Sequence, residues 1–431
     1  MTYKETLEFL FDRLPMFQRT GPAAYKNSLE NTLKLDENYG HPHRNFKSVH
    51  VAGTNGKGSV SHMLASILQD AGFKTGLYTS PHLKDFRERI RVNGAMIPEN
   101  EVVNWVSDFF DKNKNWDISP SFFEFTVAMA FDYFSQQGVD IAIIEVGLGG
   151  RLDSTNIISP EISIITNIGF DHTNLLGDSI EKIASEKAGI IKAEIPVVIG
   201  QKQERSEEVF RKKAKEVGAA IYFAGEEYLV DYSLLGIDGK QVFNVRKGDS
   251  IVYPILKLDL AGVYQQKNIP PVLKAVEILK HKGWEIQPIN IYNGLANCSK
   301  NTGLMGRWQV VGNNPLVICD TGHNEDGIKA IVDQIKNIAY KNLHFVFGTV
   351  GDKDPEKVLK LLPRDAKYYF TKASIPRAMD ENLLAGKARS VGLEGETYSN
   401  VKEAYNAALN NAGTNDLVFV GGSTFIVAEI L

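Results

Sequence analysis

Between Val51 and Ser59 the chain reads Val-Ala-Gly-Thr-Asn-Gly-Lys-Gly-Ser, a glycine-rich turn carrying one lysine. Such a turn lets backbone N–H groups converge on phosphate oxygens. The N-terminus of a following helix adds partial positive charge, and a lysine can reach the outer phosphates. The residues that would do so are Thr54, Asn55, Gly56, Lys57, Gly58 and Ser59. The strict G-x-x-x-x-G-K-[ST] spacing is not met, because Val51 stands at its first glycine and Gly58 at its Ser or Thr. A tight turn with a surface lysine is the plainer reading; a strand before and an amphipathic helix after favour phosphate. A dinucleotide site is a weaker reading. G-x-G-x-x-G is absent after the first strand, and the run from Gly147 ends in Leu152 instead of glycine.

Other residues carry chemistry less openly. Glu145 closes the apolar run Ile141–Glu145 at the C-terminal end of a predicted strand, where ligands of open α/β sheets gather. An acid there can hold Mg²⁺, or can cap a neighbouring helix. Ser80 precedes Pro81 and also reads as a turn hydroxyl. His172 and His323 also read as loop histidines, and Arg307 as a linker cation. By composition Lys187, within Ser-Glu-Lys-Ala-Gly, is a solvated helix lysine. Phe122 and Phe123 offer stacking faces to a flat ring, or belong to a core.

The elements that must position these residues alternate as in a parallel sheet flanked by helices. Strands are predicted at 46–52, 75–79, 140–146, 162–168 and 196–199, with helices at 59–71, 123–137, 179–191 and 206–217. Residues 228–260 read as β-hairpins turning at Asp238-Gly239 and at Lys247–Asp249. A helix is expected from about Gln265 to Lys282, its start blurred by Pro270 and Pro271. The pattern lapses between Leu295 and Gly312, and a second α/β series follows with strands at 316–320, 343–348, 367–371 and 417–421 and helices at 327–339, 355–362 and 401–411. The expected fold is α/β. A mostly parallel sheet domain with a phosphate loop and a small β insertion spans 1–297, and a smaller Rossmann-like domain spans 298–431.

Composition removes whole classes of function. The 431 residues are 43% hydrophobic and 23% charged, and 48 basic against 52 acidic residues leave a net charge of -4. That balance offers no footprint for nucleic acid or an anionic membrane. Two cysteines, Cys298 and Cys319, make neither a disulfide framework nor a zinc motif. Residues 1–10 read as an amphipathic helix, not a signal peptide, and no stretch reaches the roughly 20 apolar residues of a membrane span. A cytoplasmic location is the expectation.

Residues 53–59 resemble the ATP loop of the Mur ligase superfamily, in its folylpolyglutamate synthase and dihydrofolate synthase branch. Further blocks resemble that branch in its order: Tyr78–His82 with Phe86–Arg91, Ile144–Asn156, Asp171-His172, Glu186–Ile191, Tyr264–Asn268 and Asp320–Asn324. The resemblance covers nearly the full length. It implies an ATP-dependent ligase that joins L-glutamate to dihydropteroate or to a reduced folate such as tetrahydrofolate, through an acyl phosphate. It also implies that Lys57 contacts the outer phosphates, and that Ser80, Glu145 and His172 hold one Mg²⁺. Lys187 is implied to be carbamylated and to hold a second Mg²⁺, with K⁺ a further candidate ion. Asn268, Arg307 and Asp320 match nucleotide contacts, so ATP would be clamped between domains. His323 would face the reaction centre. Phe122, Phe123, Glu124, Arg151 and Asp153 match the pteroate side, and Ser423 is placed near glutamate.

A bifunctional enzyme, acting as a monomer, fits these matches best. A single-activity folylpolyglutamate synthase and a muramyl-peptide ligase are the nearest alternatives, with Gly58 arguing against the latter. A nucleotide-binding switch would need neither His323, Arg307 nor a second α/β domain.

Overall fold

Lys47–Ala52 (β1) is a strand buried along all but its first residue. Its near-continuous run of Val, His and Ala suits a parallel strand covered on both faces. In the computed structural model, which describes residues 1–16, 21, 28–236, 238–351 and 354–431, the chain divides into two compact units. The first comprises Met1–Asp259 with Gln265–Leu304, the second Leu260–Tyr264 with Met305–Leu431.

In the first unit, β1 is joined by β2 (Thr75–Tyr78), β3 (Ile90–Val92), β4 (Ala95–Met96), β5 (Ile141–Glu145), β6 (Ile162–Ile165), β7 (Val197–Ile199) and β8 (Ile221–Phe223). They form one sheet in the order β4-β3-β2-β5-β1-β6-β7-β8. All pairs from β2 to β8 are parallel, and β3 and β4 add an antiparallel edge. One core joins Tyr78, Ala142 and Ile144 to the aromatic helices Glu99–Trp116 and Phe122–Gln137. Phe109, Phe125 and Phe134 in it are fully buried, and each such side chain contributes about 1.5–3 kcal/mol by leaving water. Another core packs Ile165, Val197 and Ile199 against helices Ile180–Ala188 and Glu204–Glu216.

The predicted β insertion is a three-stranded antiparallel sheet of β9 (Leu229–Leu235), β10 (Gln241–Lys247) and β11 (Ser250–Leu258). Gly239 and Gly248 take positive φ at its two turns, at 73° and 60°. The helix expected from Gln265 begins instead at Ile269. Val263–Lys267 is a 3₁₀ turn, and Pro270 and Pro271 fall in the first helical turn, where no N–H is needed. The lapse read after Leu295 contains the short helix Cys298–Thr302, ended by Gly303 at φ 69°. Its residues bond back to the helix after β1, with His62 Nδ1 2.8 Å from Thr302 Oγ1 and Asn301 Nδ2 3.0 Å from Ser66 Oγ. Short polar helices like this one lack the apolar period that sequence reading depends on.

The second unit carries β12 (Gln309–Asn313), β13 (Leu316–Cys319), β14 (Leu343–Phe347), β15 (Lys367–Thr371), β16 (Gly395–Tyr398) and β17 (Leu417–Gly421), ordered β12-β13-β17-β14-β15-β16. Only the β12 edge is antiparallel. Helices Glu325–Ile335, Glu381–Ser390 and Val401–Asn411 flank the sheet. No helix among the described residues is long and apolar enough to cross a membrane.

Candidate active site

Four adjacent parallel strands of the first unit, β2, β5, β1 and β6, end on one edge of the sheet. Ser80 follows β2, Glu145 closes β5, Gly53–Gly56 follows β1, and Thr166–His172 follows β6. The strand after β1 lies to one side of it and β6 to the other, and carboxyl edges at such a divergence collect ligands.

The glycine loop is clamped by the segment after β6. Gly53 and Gly56 have φ of 145° and 87°. A Cβ on Gly53 would stand 1.8 Å from Thr166 Oγ1, and one on Gly56 2.2 Å from Asn268 Oδ1, so both positions require glycine. Thr166 Oγ1 donates to the Asn55 carbonyl at 2.6 Å, and the Asn55 N–H donates to Asn167 Oδ1 at 2.9 Å. Thr54 Oγ1 accepts from the Gly169 N–H at 2.9 Å. Helix Lys57–Asp70 starts at Gly56 without a side-chain cap, so no acceptor of its own competes with a phosphate for its first-turn N–H groups. Ser59 Oγ accepts from Gln265 Nε2 at 3.1 Å. The strand read as 162–168 ends at Ile165, and Thr166 and Asn167 just beyond it hold this loop.

Two lysines meet on the Gly53 carbonyl, Lys57 Nζ at 3.1 Å and Lys187 Nζ at 2.8 Å. Lys57 Nζ also reaches the Thr54 carbonyl at 3.3 Å. Lys187 is buried at 5% exposure, which overturns its reading as a solvated helix lysine. Burial, reinforced by the Lys57 charge, pulls its pKa down to about 7 against the opposing carboxylates of Asp171 and Asp153. Near neutral pH a large fraction of this amine is uncharged.

Glu145 Oε2 accepts from the Ser80 N–H at 3.2 Å. His172, at φ 49°, is the N-cap of the turn Thr173–Leu176, and its N–H donates to Asp171 Oδ1 at 2.9 Å. After β5 the loop Gly147–Thr155 lies against the helix bearing Lys187, since a Cβ on Gly150 would stand 2.9 Å from the Glu186 carbonyl. Arg151 pairs with Glu186 at 3.0 Å. Asp153 is buried and accepts from the Leu148 N–H at 2.8 Å and from Thr155 Oγ1 at 2.5 Å. That hydroxyl has spent its proton, so His50 Nε2, 2.8 Å away, is the donor to it. Burial drives the His50 pKa to about 3, and the ring stays neutral in this role.

Of the two phenylalanines, Phe123 lies against the loop, since a Cβ on Gly147 would come within 2.4 Å of its ring. Phe122 is buried, with the Arg89 guanidinium 5.3 Å above its ring. Glu124 closes a capping box, its Oε2 accepting the Ser121 N–H at 2.6 Å.

In the second unit, Asp320 follows β13. Its Oδ2 accepts from Tyr264 OH at 2.6 Å and the Trp308 N–H at 2.7 Å, and its Oδ1 from the Gly322 N–H at 2.8 Å. Burial raises its pKa, opposed by the Arg307 charge. Arg307 Nη1 donates to Thr321 Oγ1 and to the Gly306 carbonyl. His323 Nδ1 lies 3.0 Å from the Thr321 carbonyl, so Nδ1 carries the proton and Nε2 the lone pair when the ring is neutral. Ser423 caps the turn Thr424–Ala428, accepting from the Ile426 N–H at 3.2 Å.

Residues 51–276 match the Mur ligase middle domain, and residues 306–424 the Mur ligase glutamate ligase domain. The chain belongs to the Mur ligase family. A probable bifunctional folylpolyglutamate synthase/dihydropteroate synthase of Haloferax volcanii is 34% identical over 436 residues, which is 100% of this chain and 50% of that protein. The chain thus spans half the length of that relative. The dihydrofolate synthase/folylpolyglutamate synthase of Bacillus subtilis is 32% identical over 414 residues, 94% of each chain. The bifunctional folylpolyglutamate synthase/dihydrofolate synthase of Yersinia pestis, solved with AMPPNP and a Mn ion, gives a TM-score of 0.82 at 30% identity, covering 100% of this chain and 97% of that one.

In this Mur ligase several site residues escaped sequence reasoning. Thr166 and Asn167 hold the glycine loop; a polar pair closing the apolar run Ile162–Ile165 was the available signal. Tyr264 and Asp171 lay inside recognised blocks without a role. Thr155 lay inside a recognised block, but its partner His50 gave no signal, because their contact joins positions 105 residues apart. Thr155→Val is expected to destabilise the ligase by about 1–3 kcal/mol in urea denaturation, since it leaves His50 and Asp153 each short of a buried partner.

Proposed function

We propose that this protein is an ATP-dependent ligase that joins L-glutamate to dihydropteroate and to the γ-glutamyl end of reduced folates. The observation that carries this reading is the convergence of Lys57 and Lys187 on the Gly53 carbonyl, at the root of a glycine loop on the carboxyl edge of the sheet. The names of the relatives, and the AMPPNP and Mn bound by the Yersinia protein, support it.

Amide formation from a carboxylate and an amine is uphill in water. The acceptor carboxylate attacks the γ-phosphorus of ATP, giving an acyl phosphate and ADP. The glutamate amine then adds to the acyl carbon, and the tetrahedral adduct expels phosphate. With the Thr54 and Asn55 N–H groups held by Asn167, the backbone N–H groups from Gly56 to Ser59 cradle the phosphates, and Lys57 exchanges its carbonyl partners for the outer phosphate oxygens. Asn268 stands beside Gly56 and is assigned to the nucleotide, as are Arg307 and Asp320. Phe123, Arg151 and Asp153 border or build the loop assigned to the pteroate, with Phe122 and Glu124 setting the helix beneath. His323, with its Nε2 lone pair, orients the incoming amine and accepts its proton, and Ser423 is assigned to the glutamate side.

Ser80, Glu145 and His172 would hold Mg²⁺. A carboxylate, a hydroxyl and one imidazole suit a hard divalent cation, and the Ser80 N–H on Glu145 already ties two of them together. The ion supplies neutralisation of charge on the phosphates. Lys187 is assigned as a carbamate that would hold a second ion. Its burial and lowered pKa supply the uncharged amine that addition to CO₂ requires. The acyl phosphate is tested with a heavy-oxygen label in the acceptor carboxylate. One labelled oxygen should leave in the inorganic phosphate, and unlabelled phosphate would overturn the intermediate.

A further inference from the structure

We propose that Asp36, His41 and His43, brought together where helix Glu30–Asn38 turns toward β1, bind a divalent transition metal of the zinc class. His41 Nδ1 stands 2.7 Å from Asp36 Oδ2, and His43 Nδ1 2.5 Å from Asp36 Oδ1. The candidate ligand atoms of the three side chains all lie within 4.8 Å of one another, and no other group of three His, Cys, Asp or Glu side chains gathers so closely among the described residues.

The backbone builds this cluster. The helix ends in a Schellman motif: the Gly40 N–H donates to the Glu37 carbonyl at 2.9 Å, and the His41 N–H to the Asp36 carbonyl at 2.7 Å. Gly40 and His41 both take positive φ, at 75° and 57°. Histidine tolerates that region better than most residues, and it brings His41 back over the helix residue that accepts its N–H. Pro42 then opens a 3₁₀ turn that presents His43 to the other carboxylate oxygen. The two imidazoles meet edge to face, 6.2 Å apart at 90°.

The donor chemistry selects the ion. Two imidazoles and one carboxylate suit zinc and its neighbours, whereas Mg²⁺ and Ca²⁺ prefer all-oxygen sets. Zinc–ligand bonds of about 2.0–2.2 Å separate tetrahedral ligands by roughly 3.4 Å, so admitting the ion opens each nitrogen–carboxylate contact within a cluster whose donor atoms already lie within 4.8 Å of one another. The ion would take the place of the two Nδ1 protons, with water as the fourth ligand. Asp36 is 5% exposed and His43 12%, while His41 at 37% opens the way in. None of the three is assigned to Mg²⁺. The site lies at the amino end of β1, the sheet edge opposite the glycine loop, and would fasten the helix to the turn that feeds that strand.

The test uses full-length protein stripped of metal, with Mg²⁺ in excess, titrated with Zn²⁺ against a chromophoric chelator. One Zn²⁺ per chain should bind with Kd below about 10 μM, and the His41→Asn/His43→Gln double variant should bind about 100-fold more weakly. Zn²⁺ should raise the Tm of the unaltered protein alone. Equal retention by the folded double variant, or a Kd above that value for the unaltered protein, overturns the proposal. Should the variant fail to fold, the Co²⁺ spectrum of the unaltered protein decides. Intense four-coordinate bands sustain the site, and weak octahedral bands overturn it.

Discussion

Lys57→Ala is expected to lower kcat/KM for ligation by about 10²–10³-fold, the cost of removing one charged donor from developing phosphate charge. The ammonium rests on the Gly53 and Thr54 carbonyls at 3.1 and 3.3 Å, poised at the root of the loop it would reach across. Its loss takes one positive charge away from the outer phosphates. Lys57→Arg should recover little, because a planar guanidinium does not replace a compact ammonium inside a glycine turn. Steady-state ligation with circular dichroism as a folding control checks this. An alanine variant within threefold of the unaltered enzyme would remove the phosphate-loop assignment.

Lys187→Met is expected to have a comparable effect on rate for a different reason, and it carries its own signature in stability. In the unfolded chain this lysine keeps its proton up to its ordinary value of 10.5, whereas the folded chain releases it at about 7. Between those values the unfolded state holds more protons, so the unaltered protein gains stability as pH rises through the window and loses it as pH falls toward 7. Lys187→Met lacks that slope. Urea denaturation of both proteins between pH 7 and 10, in buffer free of CO₂, should show their difference changing steadily with pH. A difference that stays flat would contradict the buried, depressed amine. Isotope-labelled bicarbonate then tests the carbamate by NMR, as a protein-bound carbamate signal present in the unaltered enzyme and missing in Lys187→Met.

The two lysines also mark how far sequence reading reaches. Lys57 was legible because its turn, the strand before and the helix after each constrain a few contiguous residues. Lys187 was legible only by resemblance, because nothing in its local sequence tells that helix Ile180–Ala188 turns this side chain inward to Gly53, 134 residues away. Strands buried on both faces, such as β1, β5 and β17, read directly as apolar runs. Short or polar elements, such as β16 and the helix Cys298–Thr302, did not, because tertiary contacts such as His62 with Thr302 stabilise them more than any periodic pattern. The polar pair Thr166 and Asn167 could be seen in the sequence, but not its clamp on the glycine loop. That clamp depends on β1 and β6 being neighbours in the sheet, a fact of topology.

The most direct test of the central claim is ADP release by the purified protein with ATP, Mg²⁺ and L-glutamate, comparing dihydropteroate with tetrahydrofolate as acceptor. Release that requires both glutamate and an acceptor, and that proceeds with either acceptor, is the predicted result. Release that ignores glutamate and acceptor, or no release with either, would contradict the assignment of this protein as a folate-directed glutamate ligase.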